Sequence, residues 1–216
     1  MLNKKDFIEL EYTAKISEGG MVFATTDEKT AKENGIFAKE EKYSPVILCL
    51  GEGYLLQGLE NKLIGKEEGK EYSFNLEPEE AFGKKSASMV HLVSTKKFRE
   101  SNIAPMPGLQ VNIDGVIGIV KTVSGGRTMV DFNHPLSGKK IEYSVKVLRK
   151  VADDKEKLKA YLRMVHIGSE PDVKEGNASI ELPFDVGGNV KEKLSEKIRE
   201  VIPSIKSISF TKKESK

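Results

Sequence analysis

The segment Leu50–Gly83 constrains the fold of this 216-residue chain more than any other. Its first half predicts a helix with one apolar face, because leucines recur at four-residue intervals from Leu55 to Leu63. Gly65 follows at the position of a left-handed C-terminal cap. Residues Glu71–Glu77 then alternate between apolar and polar side chains, which is the period of a strand. The segment therefore predicts a short helix that lies against a sheet.

Two further segments, residues 7–16 and 141–151, alternate between apolar and polar side chains and predict half-buried strands. Their apolar faces include Tyr12 and Tyr143, so we expect both tyrosines to point into the space that the sheet covers. Residues 46–50 supply a third inward-facing set. These patterns indicate an α+β fold whose main body is closed by its last strand.

The stretch after Gly83 has a β pattern of its own. Its segments rich in β-branched residues are separated by Asp114-Gly115 and by Gly125-Gly126, and both dipeptides favour hairpin turns. The strands are predicted at Leu109–Ile113, Val116–Val123 and Arg127–Phe132. Hairpins that lie between two strands of the main sheet indicate a small inserted β domain.

The end of the chain, from Asp153 onward, predicts a helix, a strand (ASIELPF), a second helix and a last strand (SIKSISF). An α-β-α-β unit of about 60 residues buries only a small core. We therefore expect it to pair with a second copy, which gives a homodimer, or to dock on the main body. The expected domains are a main domain (1–84 and 136–151), an inserted domain (85–135) and a C-terminal domain (152–216).

Composition and charge argue against several classes of function. The chain is 38% hydrophobic and 31% charged and has a net charge of +2, which gives no reason to expect a nucleic-acid partner. The amino terminus lacks the long apolar segment of a signal peptide, and no stretch approaches membrane-spanning length. We expect a cytoplasmic protein that has no membrane partner.

Neither a metal site nor a cofactor is expected from the sequence. The three histidines, His91, His134 and His166, do not have the spacing of metal ligands. The single cysteine, Cys49, lies in the apolar run PVILCL, where a packed thiol is favoured over a reactive one.

Three separated motifs, LGEGYLLQGLE, PEEAFG and DFNHPLSG, resemble those of FKBP-type peptidyl-prolyl cis-trans isomerases. The third motif is similar to the exit of the insert-in-flap domain in the SlyD-like and long archaeal branch. The resemblance covers about residues 5–151. It implies an antiparallel half-barrel sheet wrapped on a short helix. It also implies a rotamase that assists protein folding, with unfolded polypeptides containing X-Pro bonds as partners.

The resemblance also implies which residues form the isomerase pocket. They are Tyr12, Phe23, Val46, Leu55, Leu56, Leu59, Phe82 and Tyr143. Two positions depart from the family pattern, because Ala24 stands where an Asp is usual and Phe82 where a Tyr is usual. We therefore expect weaker catalysis than in typical members and poor affinity for macrolides. The alternative is a holdase chaperone whose isomerase pocket is weakened or inactive.

In SlyD-like proteins the inserted domain is a chaperone surface. Here the apolar residues that would form it are Met89, Val90, Leu92, Val93, Phe98, Met106 and Met129. Each of them has a second interpretation, which is that it fills the small core of the insert itself. A third role for the protein, docking of a partner through residues 153–216, has no support beyond the presence of the extra domain.

Overall fold

The computed structural model describes residues 1–182 and 186–212. Contacts divide the chain into two compact units, Met1–Leu76 with Ile141–Lys216 and Glu77–Lys140. Pro183 and Phe184, at the end of the predicted ASIELPF strand, lie outside the described residues.

The described residues form twelve strands and five α-helices. The strands are β1 (Phe7–Ile16), β2 (Val22–Thr25), β3 (Val46–Cys49), β4 (Glu71–Leu76), β5 (Val90–Ser94), β6 (Gln110–Ile113), β7 (Val116–Ser124), β8 (Arg127–Asp131), β9 (Ile141–Lys150), β10 (Asp172–Lys174), β11 (Asn177–Leu182) and β12 (Ser207–Lys212). The α-helices are α1 (Glu28–Glu33), α2 (Gln57–Leu63), α3 (Thr95–Glu100), α4 (Asp154–Met164) and α5 (Gly188–Val201). Short 3-10 turns form at Pro78–Glu80 and Ala87–Met89.

The main sheet is antiparallel and has the order β2-β1-β9-β4, and β3 also pairs with β1. Residues directly opposite each other share one face of a sheet. Ala14 lies opposite both Ala24 and Tyr143, and Tyr143 lies opposite Phe74, so these four side chains form one cross-strand row. The predicted α+β fold with an antiparallel main sheet is confirmed.

The predicted short helix forms as α2 and lies against β4, but it begins at Gln57, so Leu55 and Leu56, expected in its first turn, belong to the preceding loop. Leu59 and Leu63 of this helix are fully buried, as their helical spacing predicts. Gly65 follows with φ of +81°, a left-handed conformation that glycine adopts without steric cost.

The C-terminal segment forms a sheet of order β10-β11-β12, in which β11 and β12 run parallel and α5 connects them. Its core is shared with the polar face of the main sheet. The shared cluster includes Phe7, Cys49 and Val151 from the main body and Leu158, Leu162, Ile180 and Ile198 from the C-terminal segment. Arg149 of β9 also donates to Glu9 (2.6 Å) and to Glu156 of α4 (3.0 Å).

Docking on the main body is thus what the structure shows for the described part of residues 152–216. The difference from the expected three-domain division has a physical reason, since so small a unit gains buried surface by sharing a core. A homodimer through this segment stays a prediction.

The second unit is a four-stranded antiparallel sheet of order β5-β8-β7-β6. Its core contains Phe98 of α3 with Val111, Val120 and Val130 of the sheet. The predicted hairpin turns form, because Asp114, Gly115, Gly125 and Gly126 all have positive φ angles between 53° and 85°. β5 has no counterpart among the predicted strands.

This second unit extends beyond the expected insert, residues 85–135, at both ends. Its two end segments bond to each other: Gly138 N–H donates to the carbonyl of Gly83 (2.8 Å), and the Ser137 hydroxyl donates to the carbonyl of Phe82 (2.9 Å). The stem of the insert therefore belongs, by its contacts, to the insert itself.

Candidate functional site

Tyr12 and Tyr143 lie together on the inner face of the main sheet. Their ring centroids are 6.0 Å apart, and the rings are inclined by 45°. The register explains the contact, because Tyr143 is diagonal to Tyr12 on the neighbouring strand. Tyr143 is buried and Tyr12 half-buried, and burial raises the pKa of both hydroxyls. Both phenols are therefore neutral hydrogen-bonding groups at physiological pH.

The backbone of Tyr12 is fixed by Thr26, a buried residue just after β2. The Tyr12 N–H donates to the Thr26 hydroxyl (2.9 Å), and the Thr26 N–H donates to the Tyr12 carbonyl (2.9 Å). These two bonds continue the pairing of β1 beyond the end of β2. They hold the segment of β1 that carries the Tyr12 ring.

Phe23 and Val46 flank β1 on its two other neighbours, β2 and β3. Val46 lies opposite Leu10 and is half-buried, so it faces the same side of the sheet as Tyr12. Phe23 is the residue at which the pairing of β1 and β2 shifts register, and it is also half-buried. A bulge of this kind redirects a side chain at the edge of a sheet.

The loop before α2 supplies the predicted leucines. Leu55 and Leu59 are buried, and Leu56 is the N-cap of the helix. The Leu56 carbonyl accepts from Leu59 (2.9 Å) and Glu60 (3.0 Å). Within the described residues, the Leu56 N–H has no acceptor. The loop therefore presents one backbone donor beside an apolar wall.

Glu60 holds this loop in place, and it is absent from the predicted pocket residues. Its buried carboxylate accepts from the N–H groups of Gly51 (3.1 Å) and Leu55 (3.3 Å). Burial raises its pKa, and the backbone N–H groups of residues 51 and 53–55 oppose that rise. The available signal was a charged residue directly after a buried leucine in the motif LQGLE.

Phe82, the remaining predicted pocket residue, belongs to the second unit. Its ring stacks on the imidazole of His134, with centroids 4.6 Å apart and planes within 2° of parallel. His134 Nδ1 accepts from the Leu136 N–H (3.2 Å), which is the turn role that its place before Pro135 favours. Phe82 is thus described with the stem of the insert, whereas the seven other pocket residues lie in the first unit.

The predicted chaperone residues fall into two groups in the structure. Met89, Leu92 and Met106 are 40%, 61% and 59% exposed. Val93 packs against the core of the insert, and Phe98 is only 4% exposed within that core, so Phe98 contributes no exposed surface. The alternative interpretation, a core side chain, therefore describes Phe98.

Helix α3 packs on one face of the insert sheet, and no helix among the described residues of the second unit packs on the other, which we call the open face. Leu92 lies opposite Met129 on it, and Val90 lies opposite Asp131, which in turn is opposite Ile119. Alternation places Ile117, which is 58% exposed, on this same face. The apolar residues of the open face are Val90, Leu92, Ile117, Ile119 and Met129. Ile117 is absent from the predicted set, although the Val116-Ile117 pair beside a turn was its signal.

A groove of about 490 Å³ crosses strands β1, β9 and β4. It is lined mainly by polar side chains, among them Glu11, Thr13, Ser144 and Lys146. Tyr12 borders it, but Leu55, Leu56 and Leu59 do not. This groove is therefore distinct from the predicted pocket.

In the part of the chain that the structure describes, no cluster of three or more His, Cys, Asp or Glu residues is placed to hold a metal ion. No helix among residues 1–182 and 186–212 has the length and apolar character needed to cross a membrane.

Cys49 is fully buried, and burial raises the pKa of its thiol to about 12. Because the folded-state pKa is above the unfolded value of about 8.5, this thiol stabilises the fold below pH 8.5 and the contribution is lost as the pH rises toward 12. We expect the wild-type protein to lose more stability between pH 8.5 and 11 than Cys49→Ala, measured by urea unfolding. Equal losses in the two proteins would contradict this role.

Comparison with known proteins gives concordant results. Family models match residues 1–99 (FKBP-type peptidyl-prolyl cis-trans isomerase) and residues 91–136 (FKBP26, IF domain). A short-type peptidyl-prolyl cis-trans isomerase of Methanocaldococcus jannaschii is 29% identical over 147 residues, which are 68% of this chain and 92% of that protein. An FKBP-type 16 kDa peptidyl-prolyl cis-trans isomerase of Escherichia coli is 30% identical over 143 residues, which are 64% and 87% of the two chains.

SlyD of Haemophilus influenzae, an FKBP-type peptidyl-prolyl cis-trans isomerase, is 26% identical over 151 residues, which are 68% of this chain and 71% of that protein. The resemblance that the three motifs indicated is confirmed by these matches and by the antiparallel sheet that carries the short helix. The chain belongs to the FKBP-type peptidyl-prolyl cis-trans isomerase family.

Proposed function

We propose that this isomerase binds an X-Pro bond on the inner face of the main sheet, between the tyrosine pair and the loop before α2. Its inserted domain holds other parts of the same unfolded polypeptide. The observation that carries the proposal is the Leu56 N–H, a backbone donor without an acceptor among the described residues, beside an apolar wall.

The chemistry requires no acid, base or nucleophile. The barrier to rotation arises from the partial double-bond character of the imide, and it is crossed when that bond twists. Uncatalysed exchange at X-Pro bonds takes tens to hundreds of seconds, so modest catalysis changes the rate of folding. A site accelerates the reaction when it binds the twisted imide better than either planar form.

The residues of the first unit meet these requirements. We propose that the tyrosine pair, Tyr12 with Tyr143, and the buried Leu55 line the site with a surface of low polarity, which removes water from the imide and weakens its charge-separated resonance form. The Leu56 N–H then fixes the carbonyl that follows the proline. Hydrogen bonds from the loop to Glu60 and from β1 to Thr26 hold both segments in place. Substrate binding therefore orders little additional chain, and the entropy cost of binding is small.

The two departures from the family pattern predict a gain-of-function variant. Ala24 stands in the row that contains Ala14 and Tyr143, so an aspartate there projects from the inner face. We expect Ala24→Asp combined with Phe82→Tyr to raise kcat/KM on a short X-Pro peptide by about 5-fold, because both polar anchors return. The matched control is Ala24→Asn with Phe82→Tyr, which lacks the charge. Unchanged activity in the double variant would count against the polar-anchor explanation.

The open face of the insert is the part proposed to bind unfolded chains. Exposed apolar side chains gathered on one sheet face are a common feature of protein-binding surfaces. Met89 and Met106, both exposed, add flexible side chains that adapt to different sequences. A surface of this type recognises apolar stretches rather than one particular sequence.

The test is proline-limited refolding of an unfolded protein with this isomerase present at a small fraction of the substrate concentration. We expect a faster refolding rate with many turnovers per isomerase molecule, because the insert binds the unfolded chain while the pocket catalyses rotation about the X-Pro bond. If the protein suppressed aggregation at equal concentrations but did not accelerate refolding, that result would support the alternative, a holdase chaperone whose isomerase pocket is inactive.

A further inference from the structure

We propose that the C-terminal segment forms part of the substrate site. The end of α4 and the loop Glu52–Tyr54 enclose a second subsite, which holds the stretch of polypeptide next to the proline. This inference rests on the proposed binding of the X-Pro bond beside Leu55 and Leu56. It assigns substrate binding to residues 161–166, which lie beyond the part of the chain that the FKBP-type family model covers.

The subsite is a groove of about 420 Å³ whose walls both belong to the first unit. One wall is the loop residues 52–54, and the other is formed by Tyr161 and residues 163–166 at the end of α4. Tyr161 is buried, whereas Tyr54 and Val165 are 44% and 39% exposed. The groove therefore combines one buried aromatic side chain with two side chains, Tyr54 and Val165, that are exposed and available for contact.

The groove adjoins the proposed isomerase site along the chain, because Tyr54, which lines the groove, directly precedes Leu55. The pKa of the Tyr12 hydroxyl is raised first by burial and then by the charges of Tyr54 and Glu41. Leu55 is part of the apolar wall. Since an extended chain advances about 3.3–3.6 Å per residue, a polypeptide bound at the wall reaches the groove within a few residues of its proline.

The loop that forms one wall is anchored from both sides. Glu60 accepts from the N–H groups of Gly51 and Leu55, which flank this loop, and Glu52 of the loop forms an ion pair of 3.1 Å with Lys197 of α5. The Glu52 side chain is only 13% exposed, so this pair is partly shielded from water. The groove thus exists before substrate binds, which lowers the entropy cost of binding.

The chemistry of the groove selects among flanking sequences. Arg163 and His166 line it, and the negative charge of Glu52 is offset by Lys197. Tyr54, Met164 and Val165 provide apolar contacts. We therefore assign to the groove a flanking stretch that combines an apolar side chain with a carboxylate.

The experiment compares two X-Pro peptides with the full-length protein. One is a tetrapeptide, and the other carries six additional residues on each side of it, including Leu and Glu. Val165→Asp places a negative charge in the groove, and Val190→Asp, at a valine of α5 that is 54% exposed, is the matched control. We expect Val165→Asp to lower kcat/KM for the long peptide about 5-fold, through KM, and to leave the tetrapeptide unchanged.

Arg163→Ala is a second variant, which keeps the wall but removes the cation. We expect this variant to raise KM for the long peptide only when that peptide carries glutamate. The inference is overturned if Val165→Asp has the wild-type kcat/KM for both peptides, or if it lowers kcat/KM equally for both. Tyr12→Ala tests the underlying site separately: it should slow the tetrapeptide, and a wild-type rate would refute the proposed X-Pro site whatever Val165→Asp does.

Discussion

Glu60→Gln is expected to lower kcat/KM for a short X-Pro peptide by about 10-fold or more and to cost about 2–3 kcal/mol in free energy of unfolding. The buried carboxylate accepts from the backbone N–H groups of Gly51 and Leu55, one on each of its oxygens. Glutamine supplies one acceptor oxygen and turns an NH₂ group toward those donors, so buried N–H groups lose their partners. The loop that carries Leu55 and Leu56 then loosens, and the Leu56 N–H moves away from the substrate carbonyl.

The peptide assay and urea unfolding measure these two effects separately. Glu71→Gln is the matched control, since it makes the same chemical change at a side chain of β4 that is 76% exposed. We expect wild-type values for both quantities in that control. If Glu60→Gln lost stability but kept its full kcat/KM, the order of the loop would be irrelevant to catalysis.

The main sheet and α2 follow from local periodicity, because alternation and helical spacing report directly which side chains are buried. Leu59 and Leu63 are buried as their spacing requires, and Tyr12 meets Tyr143 because both occupy inward positions. These features depend only on neighbours along the chain or on strict alternation. The sequence is sufficient to predict them.

The docking of the C-terminal segment depends on contacts between distant parts of the chain. Phe7 and Cys49 are apolar residues at positions that alternation assigns to the polar face of the main sheet. Apolar residues at these positions indicate that something packs on this face, but they do not identify which part of the chain, or which other chain, it is. A second copy of the chain would satisfy the same pattern, so the sequence leaves both interpretations open.

Glu60 and Phe98 show where prediction from the sequence fails: one is a charged residue that is buried, and the other is an apolar residue whose role the sequence leaves open. A glutamate in a helix is expected in water, yet Glu60 is buried because the preceding loop supplies N–H donors that only the folded chain brings together. Phe98, the single aromatic of TKKFRE, is equally suited to a core or to a binding surface. The packing of α3 on the insert sheet decides in favour of the core.

Leu92→Asp with Ile117→Asp is expected to reduce the acceleration of proline-limited refolding by about 10-fold or more, while activity on a tetrapeptide stays at the wild-type level. Both side chains lie on the open face and are 61% and 58% exposed, so the fold tolerates the charges. Each apolar anchor lost from a binding surface costs about 1–2 kcal/mol, and an aspartate also repels apolar segments of the substrate. Refolding rates and a peptide assay, run on the same preparations, measure the two activities.

Ser124→Asp, at the exposed end of β7 opposite Arg127, is the matched control, because it adds a charge to the same sheet away from the apolar residues of the open face. It should accelerate refolding as the wild type does. Loss of tetrapeptide activity in the double variant would mean that the insert shapes the isomerase site itself. Unchanged refolding would mean that unfolded chains bind elsewhere, and the groove beside α4 would then be the next surface to test.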